Sequence, residues 1–99
     1  MLEVQKIACA NDAGFDLWFA AVCSDGQSNG TDTYPINQTR VIDLAATSFK
    51  VGTEFWPAVH ASLGKTQSAL VHVVFAMNGQ TATYVVQGTT QSYSVELIG

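Results

Sequence analysis

Three motifs from unrelated proteins overlap in the run Cys23-Ser-Asp-Gly-Gln-Ser-Asn-Gly-Thr-Asp-Thr-Tyr-Pro35. Its centre, Gly26-Gln-Ser-Asn-Gly30, fits the G-x-S-x-G pattern, in which a serine nucleophile stands on a sharp turn between a strand and a helix. The residues that follow show no helical periodicity, and the α/β fold that carries this pattern needs far more than 99 residues. We therefore predict that Ser28 is not a nucleophile and that the protein is not an enzyme.

The same run approximates the opening of a calcium-binding loop. Oxygen-bearing side chains stand at alternate positions before Gly30, as Ca²⁺ requires, but the twelfth position is Ile36, where a bidentate glutamate belongs. The motif is therefore not an EF-hand, and we expect no cofactor, because Asp, Asn, Gly and Ser also form turns readily. A looser Ca²⁺ site remains the alternative, with Asp25, Asn29 and Asp32 as the metal candidates.

Two N-glycosylation acceptor sequences, Asn29-Gly-Thr31 and Asn37-Gln-Thr39, have a meaning only in a secretory pathway. The N-terminus, Met1-Leu-Glu-Val-Gln, does not show the pattern of a signal peptide, and no apolar run reaches the length of a membrane span. We expect a cytoplasmic protein, or one that is secreted by a non-classical route, in which the two acceptor sequences are silent.

The two histidines are candidates for catalytic bases. His60 and His72 fall on polar-facing positions of two predicted strands, and Asp16, Asp43 or Glu54 could approach one of them. A catalytic base needs both an orienting partner and a nucleophile within hydrogen-bond reach, and no spacing in this sequence selects such a set. We expect both histidines to be surface residues.

The charge of the chain limits its partners. The net charge is −4, only 12% of the residues are charged, and the four basic residues are scattered along the sequence. Binding to nucleic acid requires clustered Lys and Arg that displace counterions, and binding to an anionic membrane through charge requires a polybasic patch. Both kinds of binding are excluded on this composition. The length, residues 1–99, predicts a single domain.

Period-two alternation of apolar residues predicts an all-β fold. About seven short strands at roughly ten-residue spacing indicate a small antiparallel β-sandwich, with a closed barrel as the alternative. The Cys…Trp…Cys spacing of an immunoglobulin domain is missing.

The C-terminal third predicts a three-stranded meander. Asn78-Gly79 favours a type I′ hairpin turn, and Gly88-Thr89 favours a type II′ turn. Both turns put apolar side chains on one face, with Tyr84 opposite Val73 on one side and opposite Tyr93 on the other.

The N-terminal half predicts a hairpin in which residues 2–10 pair with residues 15–23 through a turn at residues 11–14. In that hairpin Cys9 and Cys23 lie too far apart for a disulfide, so both are predicted to be free thiols. Further strands are predicted at residues 36–45 and 55–63, and Pro57 indicates that the latter is an edge strand or carries a bulge.

Two features of the predicted strands indicate candidate ligand contacts: the direction in which each strand runs and the face to which each side chain points. If consecutive strands are antiparallel, loops 24–35, 63–68 and 88–90 meet at one end of the sandwich, and they carry polar groups suited to hydroxylated ligands. Trp18 and Trp56 point away from the apolar face of their strands, which makes them candidates for exposed aromatic contacts. The predicted ligand-binding residues are Asp25, Gln27, Asn29, Asp32, Tyr34, Lys65 and Thr89.

These features favour a non-enzymatic, lectin-like protein that binds carbohydrate and forms a homo-oligomer. Small acidic β-sandwiches of this kind resemble several groups of cytoplasmic fungal and bacterial lectins at the level of the fold only. The first alternative is a membrane-binding or pore-forming protein, similar in architecture to aegerolysin or actinoporin-like toxins, with lipid as its partner. The second alternative is a protein–protein interaction or assembly module.

Overall fold

Ten strands form two sheets that pack face to face in the computed structural model, which describes residues 1–99. The helical content is one 3₁₀ turn, Leu44–Ala46. The all-β sandwich is therefore confirmed. In chain order the strands are β1 Leu2–Val4, β2 Lys6–Asn11, β3 Leu17–Cys23, β4 Gly26–Gln27, β5 Thr39–Asp43, β6 Glu54–Ala61, β7 Thr66–Ser68, β8 Val73–Phe75, β9 Thr81–Thr89 and β10 Ser92–Leu97.

Both sheets are mixed rather than purely antiparallel. The first sheet has the order β1-β8-β6-β3-β4, with β7 also paired to β6, and the second has the order β10-β9-β2-β5. The pairs β1–β8 and β2–β9 are parallel, and the two sheets do not join into a closed barrel. The structure contains no helix of the length and apolarity that would cross a membrane.

The predicted C-terminal meander is wrong at its first turn. β8 pairs with β1 and β6 in the first sheet, whereas β9 belongs to the second, so Asn78-Gly79 carries the chain from one sheet to the other. The Asn78 side chain accepts from Gln80 N and donates to the Glu3 carbonyl. The N-terminal segment therefore holds this turn in place, and the local hairpin preference does not prevail.

The second turn of the meander is a hairpin, but in a different register. β9 and β10 pair with Thr89 opposite Ser92 and Val86 opposite Val95, so the connecting residues are Thr90 and Gln91. The register differs from the predicted one by an even number of residues, which leaves the same side chains on the inner face. Tyr84 consequently lies opposite Leu97 and not opposite Tyr93.

The predicted N-terminal hairpin is also wrong, because residues 12–16 cross between the sheets. The buried Asn11 side chain donates to the carbonyls of Phe15 and Tyr34 and accepts from Ala13 N. These bonds satisfy backbone groups that a crossing segment buries without a ladder partner. Cys9 and Cys23 lie in different sheets, and both are buried free thiols, as predicted.

Pro57 does not mark an edge strand, because β6 pairs with β3 on one side and with β7 and β8 on the other. Ala21, opposite Pro57, directs its own N–H and C=O to the other edge of β3. The ring nitrogen of Pro57 therefore faces the gap between β7 and β8, where a donor is not needed. Its carbonyl still accepts from Ala69 N across that gap.

The three tyrosines of the chain cross the core, and each ends on a backbone carbonyl on the far side. Tyr34 in the first layer donates to Cys9 O in β2 at 2.8 Å. In the opposite direction, Tyr84 donates to Val71 O at 2.7 Å, and the Tyr93 hydroxyl lies between two carbonyls, Val59 O at 3.0 Å and Lys65 O at 2.5 Å. Burial raises the pKa of all three hydroxyls. These bonds fix how the sheets lie on each other in a core otherwise built from apolar side chains.

Replacing Tyr34 by Phe is expected to lower the free energy of unfolding by about 1–2 kcal/mol, because the aromatic volume stays and only the hydroxyl bond to Cys9 O is lost. Urea denaturation followed by circular dichroism measures this loss. A Tyr34→Phe variant as stable as the parent chain would show that the bond does not hold the sheets together.

Candidate functional site

The polar run at residues 24–35 is not a free loop, because it follows the edge of β3 as the two-residue strand β4 and an irregular segment that is hydrogen-bonded to β3. After the turn at residues 24 and 25, the chain returns antiparallel along β3, with Gln27 opposite Val22 and Tyr34 opposite Leu17. Between these positions it departs from regular strand geometry. The run is long because it must cover the whole edge of β3.

Two hydroxyls complete the hydrogen bonding of this irregular edge. Ala21 N donates to Ser28 Oγ at 2.9 Å, and Phe19 N donates to Thr31 Oγ1 at 3.2 Å. The carbonyls of Ala21 and Phe19 accept from the backbone N–H groups of the same two residues, Ser28 and Thr31. Ser28 is only 9% exposed, and its hydroxyl donates to Asn29 O. The serine of the G-x-S-x-G match is thus a structural group of the sheet edge.

The structure does not bring the predicted ligand-binding residues together. Because β3 and β6 are antiparallel, with Leu17 opposite Ala61, the turn at residues 24 and 25 lies at one end of the sandwich and residues 62–65 lie at the other. A Cβ on Gly64 would stand 3.1 Å from Thr90 Cβ, so residues 62–65 adjoin the β9–β10 turn. Lys65 and Thr89 therefore lie at the end opposite Asp25.

Two further predicted residues are engaged within the chain. Tyr34 is 0% exposed and belongs to the core, so it cannot stack on a ligand. Asp32 forms a two-point ion pair with Arg40, at 2.9 and 3.3 Å, and this pairing lowers the pKa of the Asp32 carboxyl. A calcium ion held by Asp25, Asn29 and Asp32 would have to compete with Arg40. The structure also contains no cluster of three or more His, Cys, Asp or Glu side chains suited to a metal.

Gln27 and Asn29 remain, and they lie beside a segment that the sequence did not single out. With residues 46–49 they form a polar recess of about 210 Å³. The side chains of Gln27, Asn29 and Ser48 make no hydrogen bond within the chain, whereas Thr47 Oγ1 donates to Leu44 O. The recess is lined by Gln27, Ser28, Asn29, Ala46, Thr47, Ser48 and Phe49.

Phe49 supplies the aromatic wall of the recess. Its ring packs edge-on against the buried Phe55, with 5.7 Å between ring centroids, and it remains half-buried. A Cβ on Gly26 would lie 3.1 Å from Phe49 Cζ, so the glycine lets the β3–β4 turn approach the ring closely. Gly26 also has φ +154°, which a side chain would strain further. The first glycine of the run therefore shapes the recess.

The outer surface of the first sheet carries two tryptophan–histidine stacks, here called the aromatic face (Trp18, Trp56, His60 and His72). Trp18 stacks on His60 with 3.9 Å between centroids, and Trp56 stacks on His72 with 4.3 Å. Both tryptophans are half-buried on the outward side, as their alternation predicts. Strand register places Gln27, Val22 and Trp56 in one row across the sheet, with Gln27 at the sheet edge beside the recess and Trp56 two strands further in.

The other glycine of the run supports the first of these stacks. A Cβ on Gly30 would stand 2.7 Å from two carbons of the Trp18 benzo ring, so the backbone of Gly30 packs directly on the indole. His60 lies opposite Trp18 in the β3–β6 register and covers it from the other strand. The indole is held between two strands, and its orientation is fixed before any ligand arrives.

Each histidine of the aromatic face is held by a polar partner. Thr66 Oγ1 and His60 Nδ1 are 2.9 Å apart, and His72 Nδ1 is hydrogen-bonded to a carboxyl oxygen of Glu54. Glu54 is thus the one of the three acidic candidates that reaches a histidine. Burial lowers the pKa of His60. The Thr66 hydroxyl is the one group of nucleophile type that contacts an imidazole, and no acidic side chain contacts His60. The Nε2 atoms are the free polar ends of the two stacks.

Comparison with protein-family models, with curated protein sequences and with solved structures found no match to this chain. The assignment of a site therefore depends on the geometry of the recess and of the aromatic face. Sequence reasoning found Gln27, Asn29, Trp18 and Trp56 but missed Ser48 and Phe49. That segment lies between the strands predicted at residues 36–45 and 55–63, and its sequence gives no indication of what it contacts.

Replacing Ser28 by Ala is expected to lower the free energy of unfolding by about 1–3 kcal/mol, because the Ala21 N–H loses its acceptor in a buried position. The matched control is Ser24→Ala in the exposed turn, which should change stability by no more than about 0.5 kcal/mol. Urea denaturation measures both variants. Equal stabilities for the two would contradict a structural role for the Ser28 hydroxyl.

Acidification is expected to destabilise the fold through His60. The folded-state pKa lies below the unfolded value of about 6.5, so the unfolded chain binds more protons between these two values. The free energy of unfolding therefore falls as the pH drops through that window. A His60→Gln variant should lose this part of the pH dependence, whereas His72→Gln should keep it. Parallel stability curves for the parent chain and His60→Gln would contradict the assignment.

Proposed function

We propose that the protein is a non-enzymatic, lectin-like carbohydrate-binding protein whose ligand enters the recess and extends over Gln27 toward the aromatic face. The observation that carries the proposal is the set of three neutral side chains, Gln27, Asn29 and Ser48, that meet at the recess without a partner in the chain. Two amides and a hydroxyl offer both donors and acceptors, which is what the hydroxyl groups of a sugar require.

Aromatic rings supply the other half of sugar recognition. The C–H face of a sugar ring packs against an aromatic side chain, which has a large apolar surface and few rotatable bonds. Phe49 provides such a ring inside the recess, and Trp56 provides a second beyond Gln27 and Val22. Because His72 stacks on Trp56, the indole is already ordered, and binding costs less conformational entropy.

The charge around the recess favours a neutral sugar. None of the residues that line it is charged, and the nearest charges along the chain are the exposed Lys50, next to Phe49, and the exposed Asp25, two residues before Gln27. With a net charge of −4, the protein as a whole repels anions. We therefore expect neutral hexose-type glycans as ligands, and we expect sialylated or sulfated glycans to bind less well.

The site retains only part of the set predicted from sequence. Gln27 and Asn29 line the recess and Asp25 is close to it in the chain, whereas Asp32, Tyr34, Lys65 and Thr89 have no part in the proposed contact. A site at the recess depends on a rigid sheet edge, since Ser28 ties residues 26–30 to β3. Sites on such supports keep their geometry better than sites on free loops.

The test is a glycan array followed by titration of the best glycan, with intrinsic fluorescence as the readout. Trp18 and Trp56 are the only tryptophans, so fluorescence from a Trp18→Phe variant reports on Trp56 alone. Removing the Asn29 amide with Asn29→Ala should weaken binding about tenfold or more, because a sugar hydroxyl would be left unpaired. The melting temperature should change little, since Asn29 is exposed.

The matched control is Lys65→Ala, at the opposite end of the sandwich, which should leave the affinity unchanged. Loss of binding in Lys65→Ala with full binding in Asn29→Ala would contradict the recess. Co-sedimentation of the same preparation with liposomes distinguishes the second hypothesis. Sedimentation with lipid and no binding on the array would favour the membrane-binding function and overturn the proposal. No binding in either assay would also overturn it.

A further inference from the structure

The two sides of the sandwich, along which the sheets do not join, differ in structure. On one side, Arg40 of β5 pairs with Asp32 of the other layer, and its guanidinium lies 4.9 Å from the centre of the Tyr34 ring. On the other side, β10 and residues 67–71 leave a groove of about 390 Å³ between the sheets. One wall of the groove carries Leu70 and Val71, and the other is formed by residues 93–97 of β10.

The backbone of β10 is unpaired along this groove. β10 pairs with β9 alone, and Ile98 N donates to Thr83 O, which marks residue 98 as a hydrogen-bonded position of the hairpin. Since such positions alternate along an antiparallel pair, Tyr93, Val95 and Leu97 direct their N–H and C=O groups away from β9. These groups have no partner in the chain.

Devices that normally block an exposed edge are missing from β10. Edge strands are commonly protected by lysine, proline, a bulge or shortness, because a free edge recruits another strand. The sequence Ser92-Tyr-Ser-Val-Glu-Leu97 contains no lysine or proline, and its register with β9 is unbroken over all six residues. In contrast, β1 and β7 have only three residues each, and the β4 edge is irregular.

We propose that β10 pairs with β10 of a second copy of this chain, which joins the two four-stranded sheets into one continuous sheet. The strand is self-complementary about Val95. A two-fold axis there makes Val95 a hydrogen-bonded pair with its own copy and pairs Tyr93 with Leu97 of the second copy. Ser94 then lies opposite Glu96 of the second copy. Glu96 is the only charged residue of the strand, so no two carboxylates face each other across the pair.

Apolar surface beside β10 supports a second copy as the occupant. Leu70 is 91% exposed and Val71 is 52% exposed, at the rim of the groove. The two-fold axis brings the two grooves face to face, so these side chains are covered by their counterparts. Burial of such apolar area is the main favourable contribution to association. A small polar ligand would leave Leu70 and Val71 in contact with water.

This pairing is independent of the proposed carbohydrate contact. The recess lies at the β4 edge of the first sheet. β7 lies on the other side of that sheet, and the paired β10 strands lie on the same side of the sandwich as β7. The dimer therefore keeps both recesses open. Two identical sites on one particle would raise the apparent affinity for a surface that presents many copies of a glycan.

Sedimentation equilibrium over a concentration series tests the pairing through charge placed at the predicted register. Ser94→Glu puts carboxylates opposite each other at two symmetry-related positions and should raise the dissociation constant about tenfold. Ser94→Lys puts opposite charges there and should lower it. Adding Glu96→Lys to Ser94→Glu should restore dimerisation, because each new charge then faces its opposite. Circular dichroism confirms that every variant is folded.

A parent chain that stays monomeric at all concentrations would overturn the proposal. A dimer whose dissociation constant is the same for Ser94→Glu and Ser94→Lys would also overturn it, because the subunits would then meet elsewhere. Glycan binding by the monomeric recess is measured separately, so failure of the dimer leaves the proposed function untouched.

Discussion

Buried backbone N–H and C=O groups need hydrogen-bond partners, and much of this structure follows from how those partners are supplied where regular pairing ends. The hydroxyls of Ser28 and Thr31 serve as acceptors along the β3 edge, where residues 26–34 are too irregular to form a full ladder. Asn11 does the same for the crossing at residues 12–16. Every buried polar side-chain atom in the molecule has a partner.

The same requirement explains why the sheets have one relative position. Each tyrosine would leave a hydroxyl unpaired in the core if the opposite sheet shifted by one residue, because the accepting carbonyls of Cys9, Val59 and Val71 would move away. Apolar contacts alone tolerate such shifts more easily. The tyrosines thus give the small core its specificity, and they hold the sheet edges where the recess and the groove form.

The faces of the strands could be predicted from sequence, but their partners could not. Alternation placed Phe19, Phe55 and Tyr84 inside and Trp18 and Trp56 outside, all as observed. Alternation does not say which strand lies beside which, and two local turn preferences gave the wrong neighbours because Asn78 and Asn11 bond to distant segments. With the neighbours wrong, the count of loop positions put Asp25 and Lys65 at one end.

The residues of the recess could likewise be predicted only in part from the sequence. Gln27 and Asn29 were recognised because they stand in a conspicuous polar run, but the ring and the hydroxyl that complete the recess come from Phe49 and Ser48, some twenty residues later. Only the fold brings these residues together. The two glycines of the run allow close packing, because a side chain at Gly26 would crowd the Phe49 ring and a side chain at Gly30 would collide with Trp18.

The central claim is that one long edge of the sandwich is satisfied by side-chain hydroxyls while the edge at β10 is open. Native-state hydrogen exchange of the dilute chain tests it residue by residue. The amides of Phe19 and Ala21, which donate to hydroxyls, should exchange slowly, whereas those of Val95 and Leu97 should exchange far faster than their neighbours Ser94 and Glu96. Rapid exchange at Phe19 and Ala21, or strong protection at Val95 and Leu97 in the dilute chain, would contradict the account.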